Sequence, residues 1–173
     1  MKSIDTVGIL GLGKMGCPIA AHLLANGFKV VGCDPLEEAR RKAVALGVRS
    51  AASAREAAQA SDLVIILVGF DSEVEEVLFG KEGVLEGARP GLIVALGSTV
   101  APRYSTRLAA RLAEKNLVLL DIPLARGEAA ATAGKLLVYG AGDPDTFELC
   151  RPVFAAFASD VFHLGPAGAG QVA

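Results

Sequence analysis

The sequence predicts a doubly wound α/β domain with a mostly parallel sheet and two extra strands. Three observations predict it. Residues 7–30, VGILGLGKMGCPIAAHLLANGFKV, read as strand, glycine-rich turn, helix and second strand. The later runs at 63–68 and 92–96, and the first four residues of the one at 117–122, are continuously apolar rather than alternating, as strands buried on both faces are. Helical patterns separate these runs, so successive strands need crossovers. The composition agrees: 52% of the 173 residues are hydrophobic and 21% charged, which suits a sheet covered on both sides. A chain of this length fits one domain with a substantial core.

The first unit organises the rest. A strand at 7–10 runs into Gly11-Leu12-Gly13-Lys14-Met15-Gly16, and a helix follows with Ile19, Leu23 and Leu24 on one side. Asn26-Gly27 ends that helix, and 29–33 is the second strand. A GxGxxG turn set between a strand and a helix binds a dinucleotide pyrophosphate. Gly11 permits the tight turn, Gly13 lets the backbone approach the phosphates, and Gly16 lets the helix pack on the strand. The helix start supplies unpaired N–H groups and the positive end of its dipole.

Asp34 stands at the tip of the second strand. A carboxylate there accepts hydrogen bonds from the adenosine ribose and repels a 2′-phosphate, so NAD is expected over NADP. Asp34 could equally serve as a helix N-cap. Pro35 opens a helix from Leu36 to about Leu46, closed by Gly47, and Arg40 and Arg41 on it are expected to be solvated. Ser53 and Glu56 have capping-box spacing. The run at 63–68 ends in Leu67-Val68, at the carboxyl edge of the sheet where open α/β sheets bind ligands. Asp71, Glu73, Glu75 and Glu76 crowd the start of the next helix, where the dipole favours acids.

Gly97-Ser98-Thr99 ends the strand at 92–96, and Pro102 opens a helix to about Lys115 with Leu108 and Leu112 inward. Ser98 and Thr99 either cap that helix or face the ligand edge. Strands follow at 117–122, 136–139 and 160–164, with a helix capped by Asp143-Pro144 between the last two. Asp5, Asp62, Asp121 and Asp160 sit beside strands and read as structural. His22 and His163 have no carboxylate or serine partner in the pattern, which argues against a histidine triad.

The net charge of −2 gives no case for nucleic acid or anionic membrane. The longest apolar run is far short of a membrane span, and no leader pattern precedes Val7. Cys17, Cys33 and Cys150 are odd in number and widely spaced, and form no zinc set with the two histidines. A reduced, cytoplasmic setting and no metal are expected.

The opening GLGKMGCPIAAHLLANGFKV resembles that of the β-hydroxyacid dehydrogenases, the family of 3-hydroxyisobutyrate and 6-phosphogluconate dehydrogenases. The resemblance extends through three further motifs. Ser98 and Thr99 match the family's acid-x-Ser-Thr, whose threonine lies near the nicotinamide ribose. Asp121, Pro123, Gly127, Gly134 and Leu136 match its substrate loop. There Ala125 stands in place of a serine and Arg126 in place of the first glycine of a pair, at positions that hold the substrate carboxylate. Arg126 could offer an anion clamp in their stead, or point to solvent. Gly165 to Gln171 match the join to the second domain, whose general acid/base lysine follows directly after the stretch ending at Ala173.

The resemblance thus implies a Rossmann-like cofactor domain over 1–165, with 166–173 starting an interdomain helix and an all-helical second domain lying beyond. It implies NAD-dependent hydride transfer on a hydroxyacid or its semialdehyde, and a homo-oligomer for the full-length protein. Cofactor contacts are expected from Gly11, Leu12, Gly13, Lys14, Met15, Gly16, Asp34, Leu67, Val68 and Thr99, and substrate contacts from Ala125, Arg126 and Gly127. An imine reductase-like enzyme and a non-catalytic dinucleotide-binding module are the alternatives the altered loop leaves open.

Overall fold

The computed structural model describes residues 2–173. Six strands alternate with helices through the first two thirds of the chain: β1 (Thr6–Leu10), α1 (Gly16–Ala25), β2 (Lys29–Cys33), α2 (Glu37–Ala45), β3 (Arg49–Ser50), α3 (Ala54–Ala60), β4 (Leu63–Ile66), α4 (Asp71–Phe79), α5 (Val84–Gly87), β5 (Ile93–Leu96), α6 (Pro102–Ala113) and β6 (Val118–Asp121). All six strands are parallel, in the order β3-β2-β1-β4-β5-β6. The chain winds outward from β1 to β3, returns, and winds the other way from β4 to β6. The reversal lies between β1 and β4, and open α/β sheets bind ligands outside the strand ends at such a point.

The continuous apolar runs have the cause their pattern suggested. Every residue of β4 and β5 is buried, with successive side chains going to opposite faces. Ile65 packs with Ile9, Ile19 and Leu23 on the α1 side. Val64 and Ile66 pack with Leu78, Leu108 and Leu112 on the α4 and α6 side. Each such side chain contributes roughly 1.5–3 kcal/mol when fully buried. The two-residue β3 and the four-residue α5 carry no pattern long enough to predict them.

The chain continues through β7 (Leu124–Ala125), α7 (Gly127–Ala133), β8 (Leu136–Gly140), α8 (Pro144–Ala155), β9 (Ala158–His163) and a 3-10 turn at Gly170–Val172. The two extra strands are β8 and β9. With β7 they form a second sheet, order β7-β8-β9, joined to the first by a bridge between Asp121 and Ala141. The stretch resembling a substrate loop contains a helix, α7, because its run of alanines favours one. Phe147 and Phe154 of α8 and the following Phe157 are fully buried beneath this second layer.

Local caps set the helix ends. Asp143 accepts the Thr146 N–H at 2.9 Å to start α8. Ser53 accepts the Glu56 N–H at 3.1 Å to start α3. The Glu56 carboxylate reaches one residue further back than in a capping box, to the Ala52 N–H at 2.8 Å.

Candidate functional site

The glycine turn lies at the carboxyl end of β1. Gly11 has φ +105°, a conformation that L side chains rarely adopt, and a Cβ there would strike the Leu67 carbonyl. A Cβ at Gly16 would strike the Gly11 carbonyl. Gly13 differs: a Cβ built on it meets no other described residue within 4 Å. Two glycines therefore fold the turn, and the third keeps a bare backbone facing open space. That is the arrangement a phosphate cradle needs, so the turn fits a dinucleotide. Leu12 is buried beneath the turn, Met15 packs against the core, and Lys14 is exposed, 3.7 Å from Glu128 of α7.

Asp34 follows β2. Its Oδ2 accepts the Leu12 N–H at 2.7 Å, and its Oδ1 accepts the Leu36 N–H at 2.8 Å. The acid thus holds the glycine turn to the tip of the neighbouring strand and also shapes the entry to α2. Each carboxylate oxygen has a second acceptor site, which leaves two for ribose hydroxyls. Asp34 also lines a groove of 460 Å³ with Cys33, Ser53, Val68 and Glu73. Arg40 lines the same groove, contrary to its expected solvation. Its Nη1 donates to the Asp34 carbonyl at 2.6 Å and the Pro35 carbonyl at 2.9 Å. One turn of α2 brings residue 40 back over residues 34–36, a proximity that helix spacing could have indicated.

Leu67 and Val68 lie just beyond β4, so the strand is shorter than the apolar run. The Leu67 N–H still donates to the Leu10 carbonyl, at 2.8 Å. The Val68 N–H donates to Ser98 Oγ at 3.0 Å, which ties the ends of β4 and β5 together. Ser98 therefore does not cap α6, whose N-cap is Ala101. Thr99 is exposed between buried Ser98 and Val100. Gln171, to which sequence reasoning gave no part here, bonds both of Thr99's neighbours: its Oε1 accepts the Val100 N–H and its Nε2 donates to the Ser98 carbonyl, each at 3.1 Å.

Ala125, Arg126 and Gly127 form the junction of β7 and α7. Arg126 and Gly127 have φ of +86° and +73°. Arg126 thus adopts the left-handed backbone of the glycine it replaces, at a cost of order 1–3 kcal/mol. Its side chain is half-exposed to solvent, and its guanidinium is engaged within the chain rather than free to clamp an anion. Nη1 donates to Asp160 Oδ2 at 2.7 Å and to Ser159 Oγ at 2.9 Å. The Arg126 guanidinium beside Asp160 holds that carboxyl below its usual range. Arg126→Gly is expected to change stability by less than about 1 kcal/mol, because relief of the backbone offsets loss of a half-exposed ion pair. Urea denaturation of the two proteins checks this, and a loss well above that value would mean the pair anchors the second sheet.

Asp121 is fully buried and accepts from the Ser105 hydroxyl and the Gly168 N–H. Burial raises its carboxyl above the usual range, although both hydrogen bonds pull the other way. Burial pushes the Cys150 thiol up to about 12, and also raises Cys33, where Asp34 adds to the effect. None of these is the activated thiolate of a nucleophile. His22 bonds the Thr132 carbonyl and His163 the Gly142 carbonyl, both at 2.9 Å. Among the described residues there is no cluster able to hold a metal, and no helix is long and apolar enough to cross a membrane.

Comparison with known proteins agrees with this geometry. Residues 6–165 match the family described as the NAD binding domain of 6-phosphogluconate dehydrogenase. The chain is 38% identical to an NAD-dependent L-serine dehydrogenase of Pseudomonas aeruginosa over 167 residues, covering 96% of this chain and 56% of that protein. It is 35% identical to the 3-hydroxyisobutyrate dehydrogenase of the same organism, with the same coverage. The solved structure of Mycobacterium tuberculosis 3-hydroxyisobutyrate dehydrogenase with L-serine superposes with a TM-score of 0.92 at 34% identity, covering 98% of this chain and 57% of that one. The chain thus spans little more than half the length of the relatives it matches. With the family match running through nearly all of it, this chain belongs to the NAD-binding domains of the 6-phosphogluconate dehydrogenase type.

Proposed function

We propose that this chain binds NAD and is the cofactor half of a dehydrogenase acting on a β-hydroxyacid or the corresponding semialdehyde. The observation that carries this reading is Asp34, at the end of β2, bonded to the Leu12 N–H at the end of β1, beside the switch point of the sheet. One acid there sets the glycine turn and faces the adenosine groove. In this reading the pyrophosphate lies over Gly11 to Gly16, with Leu12, Lys14 and Met15 forming the turn. The ribose hydroxyls bond Asp34, and the adenine enters the groove beside Val68 and Arg40. The nicotinamide ribose lies by Leu67 and Thr99.

Bound NAD supplies the hydride acceptor, and the chain's residues bind and orient it. The substrate lies by Ala125, Arg126 and Gly127. The Lys14–Glu128 contact, which brings the start of α7 beside the glycine turn, supports that placement. With the Arg126 guanidinium held by Asp160, the loop offers backbone N–H groups and the small Ala125 side chain. The acid/base lysine is proposed to follow Ala173 in the full-length protein, as in the resembled family. Such a group typically contributes about 10²- to 10⁴-fold in rate.

Calorimetric titration tests the cofactor assignment. NAD is expected to bind at least about tenfold tighter than NADP, a gap of about 1.4 kcal/mol. A 2′-phosphate would have to sit against the Asp34 carboxylate, while Arg40 is occupied by two carbonyls. Asp34→Ala should weaken NAD and narrow the gap, because it removes the repulsion and leaves a guanidinium beside the phosphate. Equal binding of both cofactors by the unaltered chain would refute the role given to Asp34. The same preparation should reduce no NAD when offered a panel of hydroxyacids. Turnover at a rate typical of whole dehydrogenases would place the acid/base group within these residues.

A further inference from the structure

We propose that Gln171 is a positioning residue that fixes Thr99 for the nicotinamide end of the cofactor, an inference that rests on the reading above. Thr99 is the exposed tip of the loop between β5 and α6, and the residues on either side of it are buried. Both neighbours are bound by one side chain. The Val100 N–H can only donate and the Ser98 carbonyl can only accept, so the bridging group must do both. A primary amide does this, acting as a neighbouring strand's peptide would. Ser98 is held from a third direction by the Val68 N–H on its Oγ. The backbone on each side of Thr99 is therefore pinned, while its own exposed hydroxyl has no hydrogen-bond partner among the described residues and can meet a ligand.

Gln171 can fix the loop because its own segment is fixed. The Gly168 N–H is bound to buried Asp121, and Thr106 Oγ1 donates to the Ala167 carbonyl at 3.3 Å. A Cβ on Gly170 would strike the Tyr139 carbonyl, so the 3-10 turn lies tight against β8. The amide thus joins the ligand edge of the first sheet to a segment anchored on β6, α6 and β8, across more than 70 residues of sequence. Preorganised groups bind more tightly than groups that must be ordered on binding. Loosening residues 98–100 should therefore weaken the half of the dinucleotide they touch and leave the other half alone.

The test separates those halves with two probes, NAD and ADP, the second lacking the nicotinamide nucleoside. In Gln171→Ala, NAD affinity is expected to fall about fivefold, the equivalent of one hydrogen bond, while ADP affinity stays within about twofold. Gln171→Glu keeps the shape but sets a carboxylate oxygen against the Ser98 carbonyl, so its loss for NAD should be larger. Hydrogen exchange of the Val100 amide in the nucleotide-free protein should quicken in both variants. Unchanged NAD affinity or unchanged exchange would overturn the inference. A parallel fall in ADP affinity would also overturn it, since that is the mark of a merely structural role. An unaltered protein that binds ADP but not NAD would sink the cofactor reading and this inference with it, whereas NAD binding untouched by both variants would sink the inference alone.

Discussion

Gly16→Ala is expected to destabilise the protein by about 3 kcal/mol, the upper end of ordinary overpacking costs. Its added methyl meets the Gly11 carbonyl, a backbone atom that cannot rotate away. Gly13→Ala, three residues earlier, is expected to leave stability within about 0.5 kcal/mol of the original, as surface substitutions do. The methyl there enters open space. It should nevertheless lower NAD affinity at least about tenfold, because it occupies the face the pyrophosphate approaches. Thermal denaturation and calorimetric titration of both variants separate the two roles. In a chain of this size the Gly16 change corresponds to a drop of roughly 10 °C in melting temperature. A folded Gly13→Ala protein with full affinity for NAD would mean the diphosphate lies elsewhere.

Asp121→Ala should cost a similar amount, about 2–4 kcal/mol. It strands the buried Gly168 N–H and the Ser105 hydroxyl without an acceptor. Asp121→Asn should cost less, since an amide oxygen can still take the Gly168 N–H while its NH₂ donates to the rotated Ser105 hydroxyl. The two proteins should also differ in pH dependence. Burial raises the Asp121 carboxyl in the fold above its unfolded value, so the folded state holds a proton that the unfolded state releases. The resulting stability is fully present below the usual carboxylate range and is lost as pH rises through the raised value. The original protein should therefore lose stability relative to Asp121→Asn as pH climbs from about 4. A constant difference between the two unfolding curves across that range would show that the carboxyl titrates normally.

The periodicity of the chain was enough to place most elements. Strands buried on both faces leave uninterrupted apolar runs: β4 and β5 stand within theirs, β1 exceeds the run at 7–10 only by Thr6, and β6 stands within the strand read at 117–122. Helix starts were legible where a single residue sets them, as at Pro102 and at Asp143-Pro144. The runs overreached at Leu67 and Val68, because hydrophobicity does not register where pairing with the next strand stops. β3 and α5 were too short to leave a pattern, and the alanines of α7 lay in a stretch read as a loop.

The site divides in the same way. The glycine turn and Asp34 were determined by sequence alone, since every group involved lies within one strand-turn-helix-strand unit whose spacing fixes its geometry. The tertiary structure decided which glycines fill space and which leaves it empty. It decided that Arg40 turns back to the Asp34 and Pro35 carbonyls, and that Arg126 pairs with Asp160 across 34 residues. It alone set Gln171 on Ser98 and Val100 and brought the Gly168 N–H to Asp121. Apart from those of Arg40, one helical turn away, these partners lie far apart along the chain, and no local pattern encodes them. They meet because β6 and the second sheet return the end of the chain to the ligand edge of the first.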